Sequence, residues 1–146
     1  MTTTTEISTS TTATAARPGA RPVIWKRGVA AAAIASVTTT VLAALASAAG
    51  VSFADQTGVS IPIAGFAELT LAFSLLGVGL AAVLSRRARR PRRTFVRTAI
   101  ALTALSFVPD LTFGFDAASA ATLITLHTVA ASIVVPALAS RLVRAR

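Results

Sequence analysis

The chain has 146 residues, of which 54% are hydrophobic and 13% are charged, with a net charge of +9 and a mean hydropathy of +0.75. It contains no cysteine, which excludes a disulfide, a thiol nucleophile and a Cys-ligated metal. The basic residues come in blocks between long uncharged runs, whereas a soluble nucleic-acid binder spreads them over one face of a mixed-polarity fold. The composition therefore favours a membrane protein and argues against nucleic-acid binding.

The N-terminal part combines a polar tail with a long apolar run. Residues 1–22 are rich in Thr, Ser and Ala without apolar periodicity, which predicts a disordered tail. The next run lacks charge from Gly28 to Ala54 and exceeds the roughly 20 residues that cross a bilayer, so we predict a first span at 28–49. Cleavage near "ALASAAG" as a signal peptide is the alternative, but the run is longer than the usual apolar core of such peptides.

Three further spans follow from the same pattern. After a turn-rich loop, Pro62 suits the first turn of a helix and opens a second span at 62–84. A third span, 94–115, has only 12 uncharged residues between Arg97 and Asp110, and Pro109 is expected to kink or end its helix. Asp116 or Ser119 can cap the start of a fourth span at 118–140. Between the second and third spans lies a basic block of six residues: Arg86, Arg87, Arg89, Arg90, Arg92 and Arg93.

The distribution of basic residues predicts the orientation. Of the 14 Lys and Arg residues, 13 precede the first span, separate the second from the third, or follow the fourth, and Arg97 lies in the first turn of the third span. The other two loops carry only acidic charge. Because cytoplasmic loops are enriched in Lys and Arg, both termini should be cytoplasmic. The sequence thus predicts an all-α, polytopic membrane protein: four transmembrane helices form two in-out-in hairpins in the plasma (inner) membrane, with a domain at 23–146.

Ionisable residues inside spans are costly and mark candidate sites. Glu68, Asp110 and His127 fulfil this condition. At about 1.5 Å per helical residue, Asp110 and His127 lie roughly 20 Å from the basic side and Glu68 roughly 27 Å. All three belong to the outer half, so we expect them to converge. The face of the second span that carries Glu68, Ala72, Leu75 and Gly79 is then expected to point inward.

Such a cluster allows three interpretations. A histidine beside a carboxylate can relay protons or sense pH. One histidine with two acids can hold a divalent metal, but this is a sparse ligand set. The third interpretation is a hydrogen-bonded network that only joins helices. We predict neither a metal nor a cofactor, because the sequence has no paired-His motif, phosphate loop or nucleophile–base pattern.

Four motifs carry a resemblance to a known family: "WKRG" (25–28), "RRPRRTF" (89–95), "SFVPDLT" (106–112) and "HTVAASIVVPALASRL" (127–142). As a set they resemble a family of small actinobacterial membrane proteins of unknown function. The resemblance covers roughly residues 23–142. It implies a four-span protein of the inner membrane and carries over no catalytic residue.

These observations lead to two functional hypotheses. The first is a non-catalytic structural or partner subunit, in contact with the bilayer and with a second copy or another membrane protein. The second is a small proton-linked transporter or channel-like protein that uses Glu68, Asp110 and His127. We do not expect an enzyme. In either case the six arginines set the topology and attract anionic lipid headgroups, each by about 1 kcal/mol near the surface.

Overall fold

The computed structural model describes the backbone of residues 20–142 and the side chains of residues 25–142. Four α-helices follow one another: α1 (Ala20–Ala48), α2 (Ile63–Arg87), α3 (Pro91–Thr112) and α4 (Ala117–Ala139). Each is long and apolar enough to cross a membrane. The predicted all-α class with four spans is therefore confirmed. The first three helical residues belong to the stretch predicted as a tail, and residues 1–19 lie outside the described part.

Proline determines where α3 begins. Pro91 is its first residue, where the missing N–H costs no hydrogen bond. A proline also disfavours helical geometry in the residue before it, and Arg90 has φ −133° and ψ 67°. As a result only residues 88–90 form the turn after α2. The basic block is mostly helical, because α2 and α3 reach further into it than the predicted limits of 84 and 94.

The turn between α3 and α4 is similarly compact. Pro109 does not end α3, which continues to Thr112 and closes with a bond from the Phe113 amide to the Pro109 carbonyl, 3.0 Å long. Gly114 then has φ +76°, a conformation that suits glycine. Of the two predicted caps, Asp116 is the one used: its side chain accepts a 2.8 Å hydrogen bond from the Ser119 amide.

The helices pack as an antiparallel bundle. α1 contacts α2 and α4, and α3 contacts α4 and α2, whereas no contact joins α1 to α3 within residues 20–142. The arginine end, as we call it, comprises the start of α1, the α2–α3 turn and the end of α4. The opposite aspartate end comprises the two loops 49–62 and 113–116. Large apolar side chains such as Val37, Phe73 and Leu105 are exposed around the bundle, as expected for helices that face lipid.

Each end has its own apolar core. At the arginine end the buried residues are Ala35, Val78, Ala81, Phe95, Val134, Leu138, Ala139 and Leu142. At the aspartate end they are Ala43, Phe53, Phe66, Leu123 and Leu126. Between the two cores, α1 and α2 are joined by hydrogen bonds of Ser36 to the Ala67 carbonyl (2.9 Å) and of Thr39 to Thr70 (3.0 Å).

Candidate functional site

The structure brings Asp110 and His127 together at the contact between α3 and α4. Asp110 lies in the last turn of α3 and is 5% exposed. Its Oδ2 atom is 3.2 Å from Nδ1 of His127, and the histidine side chain is 40% exposed. One member of the pair is therefore enclosed by protein while the other reaches the bundle surface.

Nδ1 of His127 lies close to two acceptor oxygens. Nδ1 lies 2.9 Å from the Leu123 carbonyl oxygen, one turn earlier in α4. Because a carbonyl oxygen can only accept, this contact is a hydrogen bond in the state in which Nδ1 carries the hydrogen. The hydrogen then points to Leu123, and the approach to Asp110 is an electrostatic contact rather than a second hydrogen bond. The buried Oδ2 atom of Asp110 consequently has no hydrogen-bond partner among the described residues, which is costly inside a protein.

An aromatic ring completes the surroundings of the pair. Phe107, one turn before Asp110, meets the His127 ring edge-on, with 6.4 Å between the ring centroids. The nearby hydroxyl of Ser106 is occupied, since it donates to the Thr103 carbonyl at 2.6 Å. The site is thus an acid–imidazole pair with an apolar border.

Glu68 does not join this pair. It is exposed on α2 and forms no ion pair with any residue between 25 and 142. The prediction that the face of α2 with Glu68, Ala72 and Leu75 points inward was wrong, because all three residues are exposed. The helix instead buries Phe66, Ser74, Val78 and Ala81. No three His, Cys, Asp or Glu side chains of the described region are placed to hold a metal ion.

A second polar network, which the sequence did not reveal, joins the two loops of the aspartate end. The Asp116 carboxylate accepts hydrogen bonds from the hydroxyls of Ser52 (2.9 Å) and Ser119 (3.0 Å). The Ser119 hydroxyl in turn accepts the Phe53 amide at 3.0 Å. Two sequence signals pointed to these loops: the capping role predicted for Asp116 or Ser119, and the similarity of "VSFAD" (51–55) to "TFGFD" (112–116). Neither indicated that the two loops are in contact.

Hydrogen bonds to the two loop carboxylates lower their pKa values. For Asp116 the largest cause is the Ser119 amide, followed by the Ser52 hydroxyl. For Asp55 it is the Thr57 hydroxyl, which donates at 2.6 Å. Both groups therefore remain ionised to lower pH than an isolated aspartate.

The six arginines predicted to contact headgroups are all exposed at the arginine end. Arg86 and Arg87 form the last turn of α2, where positive charge complements the helix dipole. Arg89 and Arg90 lie in the turn, and Arg92 and Arg93 in the first turn of α3. None of the six forms an ion pair with a carboxylate of residues 25–142.

The fold and the pair together define a multi-pass membrane protein with four spanning helices and one acid–imidazole contact between the last two. More particularly, the chain belongs to a family of unknown function, DUF6069, whose model matches residues 19–144. No curated protein and no solved structure matches the chain significantly.

Proposed function

We propose that the protein is a non-catalytic subunit of the plasma (inner) membrane that associates with another membrane protein, or with its own copy, through the surface of α3 and α4 around His127. The half-exposed His127 beside the buried Asp110 carries this proposal. An ionisable side chain within a span almost always faces protein or a water-filled cavity, since exposure to lipid is costly. A partner that covers His127 removes this cost.

The shallow packing of α3 supports the same conclusion. Its buried residues are Pro91 and Phe95 at one end and Asp110 at the other. The residues in between, 96–109, are all at least partly exposed. A helix that contributes so little to its own bundle has most of its surface available for lipid or a second protein.

A photo-crosslinking experiment tests the association. A photoreactive residue at Thr128, exposed next to His127, should give a specific adduct in native membranes. The same residue at Val37, 65% exposed on α1, provides the control. If the purified protein in detergent gives the same adduct, the partner is a second copy. Equal adduct yields at the two positions would contradict the proposal.

We propose that the arginine end is cytoplasmic and that the source organism is actinobacterial. The orientation is supported by the complete separation of basic from acidic loops, and the source by an Ala- and Arg-rich composition typical of GC-rich genomes. For the orientation, cysteine substituted at Gln56 should react with an impermeant reagent added outside, and cysteine at Ala88 should not. The reverse labelling pattern would contradict it.

A second candidate function is proton-linked transport. It is favoured by the Asp110 Oδ2 atom, which is buried, has no hydrogen-bond partner among residues 25–142 and lies 3.2 Å from the imidazole of a surface-reaching histidine. In proteoliposomes with an internal pH dye, Asp110→Asn and His127→Gln should abolish proton flux. Glu68→Gln should not, because Glu68 lies apart from the pair. Undiminished flux in the first two variants would exclude this function.

A further inference from the structure

A basic groove runs along the first two turns of α3. It has a volume of about 280 Å³ and is lined by Arg90, Arg93, Thr94, Arg97 and Thr98. These positions are spaced by three and four residues, so they share one side of the helix. Three guanidinium groups and two hydroxyl groups therefore border the same concavity. Thr94, Arg97 and Thr98 were not among the residues expected to contact headgroups.

The positive charge of this groove is not balanced within residues 25–142. Glu68 lies in the second turn of α2 and Asp110 in the last turn of α3, both towards the aspartate end. Asp55 and Asp116 lie in that end's loops. Like charges one helical turn apart repel each other. An anion that contacts two or three of the arginines at once would remove this repulsion.

The two threonines offer further hydrogen-bonding groups. Thr112, Thr122 and Thr125 donate their hydroxyls to the carbonyl four residues earlier. The hydroxyls of Thr94 and Thr98, by contrast, form no hydrogen bond with any described residue. They can therefore donate to a ligand held by the arginines. Guanidinium forks and hydroxyls are the donors that proteins use for phosphate oxygens.

We propose that this groove is a binding site for a phosphate group, with three arginines as the charged contacts and two threonines as hydroxyl donors. The volume lies just below the 300–1,000 Å³ of drug-sized ligand sites, so a single headgroup is a suitable occupant. Arg97 lies about 10 Å along the helix from Arg90, which extends the groove from the turn into the span. At this depth the phosphate group would come from a phospholipid headgroup. A soluble phosphate is the alternative source, and the binding experiment distinguishes the two.

This inference rests on the proposed membrane location but not on a partner or on the orientation. It differs from general attraction by six arginines, because only one face of α3 should matter. Two variants with the same loss of charge separate the alternatives: Arg90→Gln/Arg93→Gln/Arg97→Gln in the groove, and Arg86→Gln/Arg87→Gln/Arg89→Gln outside it. Flotation with vesicles checks membrane insertion of both variants independently of headgroup binding.

Native mass spectrometry of the purified protein in neutral detergent measures the binding. The probes are phosphatidylglycerol, with phosphatidylcholine as the zwitterionic control, and inorganic phosphate. The groove variant should bind phosphatidylglycerol at least about tenfold more weakly, and the other variant within about threefold of wild type. If the groove variant loses inorganic phosphate but not lipid, the phosphate source is soluble. Equal losses in both variants overturn the proposal.

The threonines provide a test that leaves the charge unchanged. Thr94→Val/Thr98→Val removes both hydroxyls with nearly the same side-chain shape and keeps all three arginines. Affinity for the phosphate probe should fall severalfold, with no loss of thermal stability. Thr122→Val/Thr125→Val on α4, where the hydroxyls already donate to carbonyls, is the matched control. Unchanged affinity in the Thr94/Thr98 variant would reduce the groove to a general electrostatic attraction and overturn the proposed site.

Discussion

Both ends of the bundle have an apolar core, and the aspartate end adds a hydrogen-bond network between its loops. At the aspartate end, hydrogen bonds connect the loops through Ser52, Phe53, Asp116 and Ser119. At the arginine end, the buried core consists of apolar side chains. Within residues 25–142, the side-chain hydrogen bonds between different helices join α1 to α2, from Ser36 to Ala67 and from Thr39 to Thr70.

This difference has a consequence for the charged residues. The carboxylates Asp55 and Asp116 are engaged by loop hydroxyls and amides, so they contribute to the fold. The arginines of the opposite end have no such intramolecular partners within residues 25–142. They remain available for ligands or lipid. One end thus uses its polar groups for structure, and the other presents them outward.

Removal of the Phe53 ring should have the largest effect. Phe53 is 1% exposed and meets Phe66 edge-on at 5.0 Å. Because Phe53 belongs to a loop outside the spans, its ring would contact water if the loop unfolded. Phe53→Ala should therefore cost about 3–5 kcal/mol of unfolding free energy. Phe113→Ala, 59% exposed in the other loop, is the control. Similar losses in thermal or denaturant unfolding would show that the aspartate end has no specific core.

The next largest effect is expected where α1 approaches α2 and α4 at the arginine end. A Cβ atom on Gly28 would lie 2.6 Å from Val78 Cγ2 and 3.2 Å from Leu138 Cδ2. Gly28→Ala should therefore cost about 1–3 kcal/mol through overpacking. A Cβ atom on Gly77 would have no other atom within 4 Å, so Gly77→Ala should be neutral or stabilising. If both variants unfold at the same temperature, the close approach at Gly28 does not hold this end.

A single hydroxyl tests the loop network. Ser119 is fully buried, and without its oxygen the Phe53 amide would be left unpaired. Ser119→Ala should cost about 1–3 kcal/mol and accelerate hydrogen exchange of that amide. Ser140→Ala is a suitable comparison, because the exposed Ser140 hydroxyl donates to Ala137 within its own turn. Unaltered exchange at Phe53 would show that the bond is dispensable.

The positions of the spans were predictable because membrane crossing depends on length and the absence of charge, which are visible in a sequence. Pro91 lies within the basic block that separates the second span from the third, where a proline disfavours one continuous helix. The packing face of α2 was not. In a soluble helix, polarity separates the inner face from the outer one, whereas in a bilayer both are apolar. Glu68 thus gave no reliable direction, and the structure places it on the exposed side.

The candidate site was predictable in part: the contact of Asp110 with His127 was, but the loop network and the groove on α3 were not. Depth along the helices predicted that Asp110 and His127 would meet, since residues at the same depth on adjacent helices can touch. The loop network was not predictable, because it depends on a backbone conformation at Phe53 with φ +50° that the residue type disfavours. The spacing of Arg90, Arg93 and Arg97 was visible, but the adjacent concavity was not.

The smallest expected effect concerns pH and should be confined to one end. Hydrogen bonds lower the folded-state pKa of Asp55 and Asp116, while the unfolded chain has ordinary values near about 3.9. Their stabilising contribution is therefore complete above about pH 4 and is lost as the pH falls through the lowered values. Acidification should accelerate hydrogen exchange in loop 49–62, after correction for intrinsic rates, before it does so around Val78. Asp116→Asn keeps a capping side chain but removes its titration, and should reduce this difference. If acidification accelerates hydrogen exchange equally at both ends, the loop carboxylates are not the cause of a difference in stability between them.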